Sequence, residues 1–462
     1  MLNLPRIMIA GTHSGVGKTT VALAVMAMLD KYGLRVQPFK VGPDYIDPGF
    51  HQIATGCVSR NLDTFFLGAE GVQEVFTRSA RSADISVIEG VMGLYDGIGA
   101  GDDGSSARVA QILNCPVILV LDARSMAHSA AALVWGFANF PGGVPLAGVI
   151  INRAGSPRHL KILTEAIEAK TGIPVLGGIL REQDLHLPER HLGLVPSLEN
   201  ERIVSVIDKM AHRIMEAIPA ERILSLARRA PALNRLEKIF AVDEQAKIQL
   251  GVVRDKAFNF YYQDGLDLLE QMGAEIYTCS ALNDSKLPEG LDGLYIGGGF
   301  PEMFIEQLAD NHTFIEDLGR RAAVGMPVYA ECGGLMYLCR SITDFSGREY
   351  QGAGIIPASC KMGHKRAALG YVSATAISSN ILVDQGAKLR GHEFHYSKIN
   401  DDELNGAYML QKPGDGSCHR DGHAESNILA TYLHIHFAGS TAAARGFLRS
   451  CAAYRQYRRI QN

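Results

Sequence analysis

A cysteine at a predicted strand-to-helix turn is the residue with the clearest chemical potential in this sequence. Residues 327–330 are apolar and predict a strand, the next four predict a tight turn, and a helical pattern follows from Leu335. Such a turn lifts the sulfur of Cys332 clear of the backbone, above a helix N-terminus whose partial positive charge favours the thiolate. This arrangement is a nucleophile elbow with cysteine in place of serine. The alternative is that Cys332 is a small buried apolar side chain.

A cysteine nucleophile requires a general base, and a strand-like run further along the chain contains two histidines. His434 and His436 stand two apart in residues 430–437, which places both on one face of a strand. Upstream, a predicted strand ends in a glycine turn with Gly298 and Gly299, whose backbone amides could bind an oxyanion. We expect Cys332 and His434 to be catalytic and the two glycines to contact the substrate. These three pieces resemble a class I glutamine amidotransferase domain, which frees ammonia from L-glutamine through a cysteinyl thioester.

A glycine loop follows the first predicted strand of the chain, at residues 6–10. The run GTHSGVGKTT and the helical pattern after it are typical of a P-loop. Backbone amides of such a loop cradle phosphates, its lysine neutralises their charge, and the hydroxyl of Thr19 ligates magnesium. Thr12 stands where the strict pattern has glycine, a departure that resembles dethiobiotin synthetase and its relatives. The candidate nucleotide-binding residues here are Gly11, Thr12, Ser14, Gly15, Val16, Gly17, Lys18, Thr19 and Thr20.

A lysine and two aspartates follow the second predicted strand, at residues 34–39. Lys40 comes directly after this strand and could serve the same phosphate as the P-loop. Asp44 and Asp47 stand three apart in a loop rich in proline and glycine, which suits magnesium coordination and contact with a γ-phosphate. A solvated turn in which an aspartate caps a helix is the alternative. We expect Lys40 to bind nucleotide, Asp47 to bind metal, and Asp44, Tyr45 and Asp47 to contact substrate.

Three further candidates follow later predicted strands of the same half. Glu89 ends the strand at residues 83–88, and an acid at the carboxyl end of a parallel strand faces the site crevice, which suits a magnesium ligand. Asp96 lies in the glycine-rich loop that follows and could cover a substrate carboxylate. Asn152 follows the strand at residues 146–151, where P-loop relatives have an asparagine that contacts the nucleotide base. A strand-end cap explains Asn152 equally well.

The framework that must hold these residues is an alternation of strands and helices. The pattern runs from residue 6 to residue 180 and predicts an α/β fold with an N-terminal, doubly wound parallel sheet, similar to dethiobiotin synthetase. We expect a P-loop domain at residues 1–199, a helical linker at 200–245, an α/β glutamine amidotransferase domain at 246–445, and a helical tail at 446–462. Within the second domain, the aromatic run at residues 258–262 is expected to open a helix.

Composition narrows the class of protein. Lysine and arginine number 45 and aspartate and glutamate 49, a net charge of −4, so nothing argues for a nucleic-acid partner. Eight cysteines without CxxC pairs indicate reduced thiols rather than a disulfide framework. The sequence has no signal-peptide pattern and no apolar run of membrane-spanning length, so we expect a cytoplasmic protein with no membrane association. A homodimer is compatible with the sequence but not required by it.

A nucleotide-phosphate site joined to an ammonia generator predicts a glutamine-dependent amide ligase. ATP with Mg²⁺ would convert a substrate carboxylate to an acyl phosphate, which ammonia then attacks. The runs PFKVGPDYIDPGFH, VIEGVMGLYDG, GGGFPE, AECGGLMYL and TYLHIHF resemble the cobyrinic acid a,c-diamide synthase family over nearly the whole chain. The resemblance implies amidation of the a- and c-acetate carboxylates of cobyrinic acid in cobalamin biosynthesis. It also implies that Cys332 is the nucleophile and His434 its base.

Departures and alternatives remain at this stage. His436 stands where many amidotransferases carry a triad glutamate, so we expect a cysteine–histidine dyad without a carboxylate at that place. Nickel sirohydrochlorin on the coenzyme F430 route and hydrogenobyrinic acid are related tetrapyrrole polycarboxylates that residue chemistry does not separate from cobyrinic acid. An enzyme of the cobyric acid synthase type would amidate the remaining side chains of the corrinoid. A non-catalytic P-loop switch, similar to partition ATPases, is disfavoured by the Cys332–His434 pair.

Overall fold

The computed structural model describes residues 1–181, 201–241, 247–399, 403–414 and 416–461. The chain divides into two compact units, Met1–Lys238 and Ile239–Asn462. The expected domain boundaries at 199/200 and 245/246 lie outside the described residues. None of the helices in the described parts of the chain combines the length and the apolarity that a membrane span requires.

The first unit is built on a seven-stranded parallel sheet with the order β3-β2-β4-β1-β5-β6-β7. The chain leaves β1 toward β2 on one side and later crosses to β5 on the other, so a crevice opens at the carboxyl edge beside β1. This confirms the predicted doubly wound parallel sheet. The strands are β1 (Arg6–Gly11), β2 (Val36–Val41), β3 (Arg60–Leu62), β4 (Ile85–Glu89), β5 (Val117–Asp122), β6 (Leu146–Ala154) and β7 (Val175–Leu180).

The helices of the first unit alternate with these strands and then continue beyond β7. They are α1 (Lys18–Lys31), α2 (Asp47–Thr55), α3 (Thr64–Ala80), α4 (Ser106–Ile112), α5 (Ser129–Ala138), α6 (Pro157–Thr171), α7 (Glu201–Ala217) and α8 (Ala220–Arg228). Side chains of α7 and α8, such as Met210 and Ile223, lie in one apolar core with Val25 and Met28 of α1. The two helices that the sequence analysis placed in a linker therefore cover α1 and bury the helix that carries the end of the P-loop.

The second unit contains a six-stranded sheet with the order β10-β8-β11-β13-β23-β22 and three smaller sheets, ordered β12-β9, β15-β14-β16-β19 and β21-β20-β17-β18-β24. In the six-stranded sheet only β22 is antiparallel to its neighbour. The strands are β8 (Ile248–Val253), β9 (Phe258–Phe260), β10 (Ala274–Cys279), β11 (Gly293–Ile296), β12 (Gly298–Gly299), β13 (Val328–Glu331), β14 (Cys339–Thr343), β15 (Glu349–Gln351), β16 (Ile356–Met362), β17 (Ala368–Ala376), β18 (Lys388–His395), β19 (Ser397–Ile399), β20 (Tyr408–Gln411), β21 (Cys418–Asp421), β22 (His423–Glu425), β23 (Ile428–Thr431) and β24 (His434–Ile435). The α/β fold expected for this half is confirmed.

The helices of the second unit are α9 (Gln263–Gln271), α10 (Ile305–Asp310), α11 (His312–Ala323), α12 (Gly333–Leu338) and α13 (Thr441–Gln461). The expectation that residues 258–262 open a helix is wrong. Phe258–Phe260 forms β9, which pairs antiparallel with the glycine strand β12, and the helix begins only at Gln263. The expected boundary at 445/446 falls inside α13, whose Phe447 and Cys451 are buried.

Candidate active sites

The P-loop candidates occupy the turn between β1 and α1. Gly15 and Gly17 adopt positive φ angles of 82° and 94°, which L-residues with a side chain rarely adopt. A Cβ atom on Gly11 would come 2.7 Å from Cγ of Lys18, so glycine there lets the lysine fold back along the loop. Nζ of Lys18 lies 3.4 Å from the carbonyl oxygen of His13, inside the concavity that the loop amides form.

A buried network of charges joins the P-loop to β2 and β4. The register of the parallel pair sets Lys40 opposite Glu89. Nζ of Lys40 lies 2.8 Å from Oε1 of Glu89 and 2.7 Å from Oδ2 of Asp47, and the hydroxyl of Thr19 donates to Oε1 of Glu89 at 2.6 Å. His51 completes the network, with Nε2 2.7 Å from Oε2 of Glu89. The structure thus brings together four residues that were predicted to bind metal or phosphate: Thr19, Lys40, Asp47 and Glu89.

The charges in this network support one another. Burial alone would lower the pKa of Lys40, but Asp47 and Glu89 outweigh it, so the pKa of Lys40 is raised above its usual value. Burial likewise opposes ionisation of Glu89, and Lys40 and His51 outweigh that burial, so the pKa of Glu89 is lowered. The cluster therefore contains an ammonium and a carboxylate at neutral pH.

A side chain of β3 holds the loop after β2 in place through hydrogen bonds. Nδ2 of Asn61 donates to the carbonyl oxygens of Gly42 and Asp44, at 2.9 and 2.8 Å. Oδ1 of Asp44 accepts from the amides of Ile46 and Asp47, which begins helix α2. Asp44 therefore stabilises the turn that precedes α2, Tyr45 is half-buried in the same loop, and the contact of both residues with substrate stays a prediction.

Asp96 lies in a loop that packs directly on the P-loop. The amide of Leu94 donates to the carbonyl oxygen of Gly11 at 2.8 Å. Oδ2 of Asp96 accepts from the amide of Gly93 at 2.8 Å, and the Asp96 side chain is exposed. Asp96 therefore shapes a loop beside the phosphate-binding turn, and its contact with substrate stays a prediction.

Asn152 fastens the opposite side of the P-loop. Its Nδ2 donates to the carbonyl oxygen of Val16 at 2.9 Å, and its Oδ1 accepts from the amide of Arg153 at the same distance. Arg153, at a positive φ of 58°, donates to the carbonyl oxygen of Gly15 at 2.9 Å and to Oδ2 of Asp122 at 2.6 Å. Sequence reasoning did not find Arg153. The contact of Asn152 with a nucleotide base stays a prediction.

The oxygen atoms around Lys40 suit a magnesium ion that shares its coordination with phosphate. Mg²⁺ is usually bound through one or two carboxylates, water and substrate phosphates. Thr19, Asp47 and Glu89 offer such oxygens within one network. In the parts of the chain that the structure describes, no three His, Cys, Asp or Glu side chains converge as a complete metal site. Metal binding by Asp47 and Glu89 stays a prediction.

In the second unit, Cys332 occupies a strained turn between β13 and α12. Its φ of 47° and ψ of −99° lie outside the ordinary regions for residues other than glycine. Such strain costs about 1–3 kcal/mol and is typical of functional turns. The amide of Cys332 donates to the carbonyl oxygen of Thr431 on β23 at 2.7 Å, which fixes the turn beside the strand that leads to His434.

The thiol of Cys332 is buried. Its Sγ lies 3.6 Å from the carbonyl oxygen of Phe394 on β18, and the residue is 5% exposed. Burial, together with the charge of Glu302, raises the pKa of the Cys332 thiol, and the amide of Gly333 offsets only part of this. The helix N-terminus was expected to favour the thiolate. The Gly333 amide does act in that direction, but desolvation outweighs it, so the neutral thiol is favoured in the protein without substrate.

His434 and the glycine turn lie against the elbow. A Cβ atom on Gly298 would come 2.6 Å from Cε1 of His434, and one on Gly333 would come 3.1 Å from the amide nitrogen of Gly299. The glycine turn thus touches both the imidazole and the residue after the nucleophile. The ring of His434 stacks on that of His392, with centroids 4.9 Å apart, and its Nδ1 lies 3.5 Å from Oε2 of Glu331.

His436 is buried against an aromatic ring of the same unit. Its ring stacks on Tyr262, with centroids 4.6 Å apart, and it is 1% exposed. Burial lowers the pKa of His436 to about 3, so the imidazole is neutral near pH 7. The position that often carries a triad glutamate therefore holds an uncharged aromatic ring.

Two buried residues of these sites, His51 and Glu331, had no predicted role. His51 stands four residues after Asp47 on α2, and this spacing places both on one helix face. Glu331 stands two residues after Tyr329 in an otherwise apolar strand, and a carboxylate on a buried strand face was a usable signal. Both residues contact groups that sequence reasoning did find.

Comparison with known proteins covers both units. A family model described as CobQ/CobB/MinD/ParA nucleotide binding domain matches residues 7–195, and one described as CobB/CobQ-like glutamine amidotransferase domain matches residues 249–442. A cobyrinate a,c-diamide synthase from Caldanaerobacter subterraneus subsp. tengcongensis is 43% identical over 97% of this chain and 98% of its own length. Similar proteins of the same name from Dehalococcoides mccartyi and a Synechococcus species are each 42% identical, over 97% and 96% of this chain and 98% of their own lengths.

Proposed function

Because the chain belongs to the cobyrinate a,c-diamide synthase family, we propose that it amidates the a- and c-acetate carboxylates of cobyrinic acid with ATP and L-glutamine. The observation that carries the proposal is the presence, in one chain, of a P-loop with a buried Lys40–Glu89 pair and a cysteine elbow beside a histidine. The first arrangement suits phosphoryl transfer and the second suits release of ammonia. A ligase that takes nitrogen from glutamine needs both.

Ammonia is released in the second unit. Sγ of Cys332 attacks the side-chain carbonyl carbon of glutamine, and His434 takes the thiol proton. The same proton passes to the departing nitrogen, so ammonia leaves and a thioester remains. Backbone amides at Gly298, Gly299 and Gly333 are the donors available to the oxyanion. Water then hydrolyses the thioester, which releases glutamate and restores the thiol. Because burial raises the pKa of Cys332, this step depends on the base.

The substrate carboxylate is activated in the first unit. A carboxylate oxygen attacks the γ-phosphorus of ATP, ADP leaves, and an acyl phosphate forms. The loop amides and Lys18 hold the phosphates, and Lys40 adds positive charge beside them. Thr19, Asp47 and Glu89 would hold Mg²⁺, which neutralises phosphate charge as it develops. Ammonia attacks the acyl carbon, and inorganic phosphate leaves with the former carboxylate oxygen.

Asp44, Tyr45 and Asp96 are the proposed contacts with the macrocycle, from loops that border the phosphate-binding turn. Nickel sirohydrochlorin and hydrogenobyrinic acid remain alternative acceptors, because the same chemistry serves any acidic tetrapyrrole. An assay with ATP, Mg²⁺ and glutamine, with each macrocycle in a separate reaction and read by mass spectrometry, decides among them. Two added amides on cobyrinic acid support the proposal, and preference for another macrocycle replaces the acceptor.

The roles of the two units are separated by Cys332→Ala. We expect this variant to lose glutamine-dependent amidation by at least about 10³-fold, because the nucleophile is absent. Synthesis from added ammonium should persist, because the first unit is intact. Both rates are measured by the mass of the product. Equal loss of both activities would mean that Cys332 is structural and that the ammonia-generating site lies elsewhere.

A further inference from the structure

The proposed base is contacted by a carboxylate from the residue just before the nucleophile. Oε2 of Glu331 lies 3.5 Å from Nδ1 of His434, and each side chain is 1% exposed. This distance is longer than that of an ordinary hydrogen bond. Catalytic hydrogen bonds are often long in a protein without substrate and shorten when the substrate is bound. The contact therefore aims one edge of the imidazole at a carboxylate.

Three donors hold the Glu331 carboxylate in this place. The Tyr295 hydroxyl donates to Oε2 at 3.0 Å, and the Tyr329 hydroxyl donates to Oε1 at 2.5 Å. The amide of Ile435, the residue after His434, donates to Oε1 at 3.2 Å. Burial and the neighbouring Glu331 raise the pKa of both tyrosines well above the usual value, so both phenols keep their protons and remain donors.

Strand pairing explains why Glu331 reaches the histidine. β13 and β23 run parallel with Glu331 opposite Thr431, and the chain turns immediately afterwards into His434. The turn is itself fastened, because Oδ1 and Oδ2 of Asp421 accept from the amides of Tyr432 and Leu433, each at 3.1 Å. The nucleophile elbow and the orienting carboxylate thus belong to one continuous strand and turn, and the base enters beside both.

We propose that Glu331 is the positioning residue of the ammonia-generating site: its carboxylate accepts the Nδ1 proton of His434 and leaves Nε2 as the base for Cys332. The assignment rests on the proposed function of the second unit. When Nε2 takes the thiol proton, the neighbouring carboxylate stabilises the imidazolium that forms, and no proton passes to Glu331. The carboxylate that is missing at position 436 is thereby supplied from position 331.

The test is Glu331→Gln in the full-length protein. The amide has nearly the same volume, and its one carbonyl oxygen can still accept from Tyr329 and from the amide of Ile435. Its NH2 group, in the place of Oε2, cannot accept from Nδ1 of His434, and the charge that stabilises the imidazolium is lost. We expect kcat for glutamine hydrolysis to fall about 100-fold, with KM for glutamine changed less than threefold. Amidation from added ammonium, measured in parallel, should stay within twofold of the native rate. A purely structural role would not separate kcat from KM in this way.

Three further variants complete the test. Tyr329→Phe removes one donor from the carboxylate oxygen that faces away from His434, and we expect a loss of glutamine hydrolysis below about fivefold. If Glu331→Gln folds poorly, Glu331→Asp is used instead, because it keeps the charge but places it one methylene further from His434. We again expect kcat to fall while KM for glutamine changes little. His436→Phe tests the rival orienting residue, and we expect a smaller loss of kcat than for Glu331→Gln.

The outcomes separate the two proposals. If the native protein releases no ammonia from glutamine, the proposed function fails and the role of Glu331 fails with it. If the native protein is active and Glu331→Gln matches it within threefold, only the positioning role is overturned. The same holds if His436→Phe loses kcat while Glu331→Gln does not, because position 436 would then orient the base.

Discussion

Cys332 combines two costs, a backbone φ of 47° and a buried thiol whose pKa is raised by that burial. Neither the strained backbone nor the buried thiol stabilises the fold, and backbone strain of this kind is typical of functional sites. The helix after the turn, α12, has only six residues, so its partial charge is a weak offset to desolvation. In the proposed mechanism the thiol stays in its neutral form until His434 removes its proton, and a neutral thiol is less readily oxidised than a thiolate.

His436 predicts a specific sensitivity to acid. Its pKa in the folded protein is about 3, below the ordinary value near 6.5. Between these two pH values the imidazole is protonated in the unfolded chain and neutral in the folded one. The contribution of His436 to the free energy of unfolding is therefore constant above about pH 6.5 and becomes increasingly unfavourable as the pH falls toward 3. Between pH 7.5 and 5.0 the loss from this one group is about 2 kcal/mol. His436→Phe should keep the ring stacked on Tyr262 and remove that loss.

The measurement is calorimetric unfolding of native protein and His436→Phe at pH 7.5 and 5.0. His392 is also buried, with a pKa well below its usual value, but it is present in both proteins and cancels in the comparison. The melting temperature of the variant should fall less between the two pH values. An identical fall in both proteins would show that His436 is protonated in the folded state, contrary to its environment.

The sequence alone predicted the roles of some site residues and not of others. Cys332 and His434 stand in local patterns that predict their roles, and the structure places both against one glycine turn. Glu331 lies near His434 because its strand pairs with Thr431, a hundred positions away, and no local sequence pattern indicates that pairing. The state of the Cys332 thiol was mispredicted for a related reason, because burial depends on every element packed around it.

The two-residue strand β12 is an element whose dimensions suit only glycine. A Cβ atom on Gly298 would come 2.6 Å from Cε1 of His434 and 3.4 Å from Cβ of Phe260 on the paired strand β9. Gly298→Ala should push the imidazole away from its place, because the first distance is far below van der Waals contact. We expect glutamine hydrolysis to fall at least about 30-fold, since small displacements at a reacting centre are costly. Amidation from added ammonium should be unchanged.

Gly319→Ala is the matched control for this prediction. Gly319 lies in helix α11, and a Cβ atom there would meet no other atom within 4 Å. Alanine is preferred to glycine inside a helix, so this variant should keep full activity and gain up to about 1 kcal/mol of stability. Glutamine hydrolysis is measured by ammonia release for both variants. If Gly298→Ala retains the activity of Gly319→Ala, the glycine turn is not what holds the imidazole.

At the scale of elements, the sequence predicted the alternation of strands and helices but not their lateral order. Apolar runs marked β1, β4, β5 and β6 because parallel strands are buried on both faces. The contact of Lys40 with Glu89 depends on β2 lying beside β4 rather than beside β1. The strand β9 was mistaken for the start of a helix, because four aromatic residues among the five at 258–262 fit the period of a helix as well as that of a strand. Only the pairing of β9 with β12 decides between them.

The whole molecule consists of two units that each enclose a core of their own. The proposed chemistry divides along the same line, with phosphoryl transfer in the first unit and release of ammonia in the second. Damage to the core of one unit should therefore leave the other folded. The only tryptophan in the sequence, Trp135 on α5, belongs to the first unit, so its fluorescence reports the unfolding of that unit.

Lys40→Met tests this independence. The variant leaves Asp47 and Glu89 buried without their ammonium partner, and removing one member of a buried ion pair typically costs about 3–5 kcal/mol. Lys31→Met is the control, because Lys31 and Asp208 form a partly exposed pair that contributes about 1 kcal/mol or less. In Lys40→Met we expect the tryptophan transition to move to much lower urea while glutamine hydrolysis retains its native urea dependence. A parallel loss of both signals would mean that the two units unfold as one, and that the ammonia-generating site depends on the integrity of the first unit.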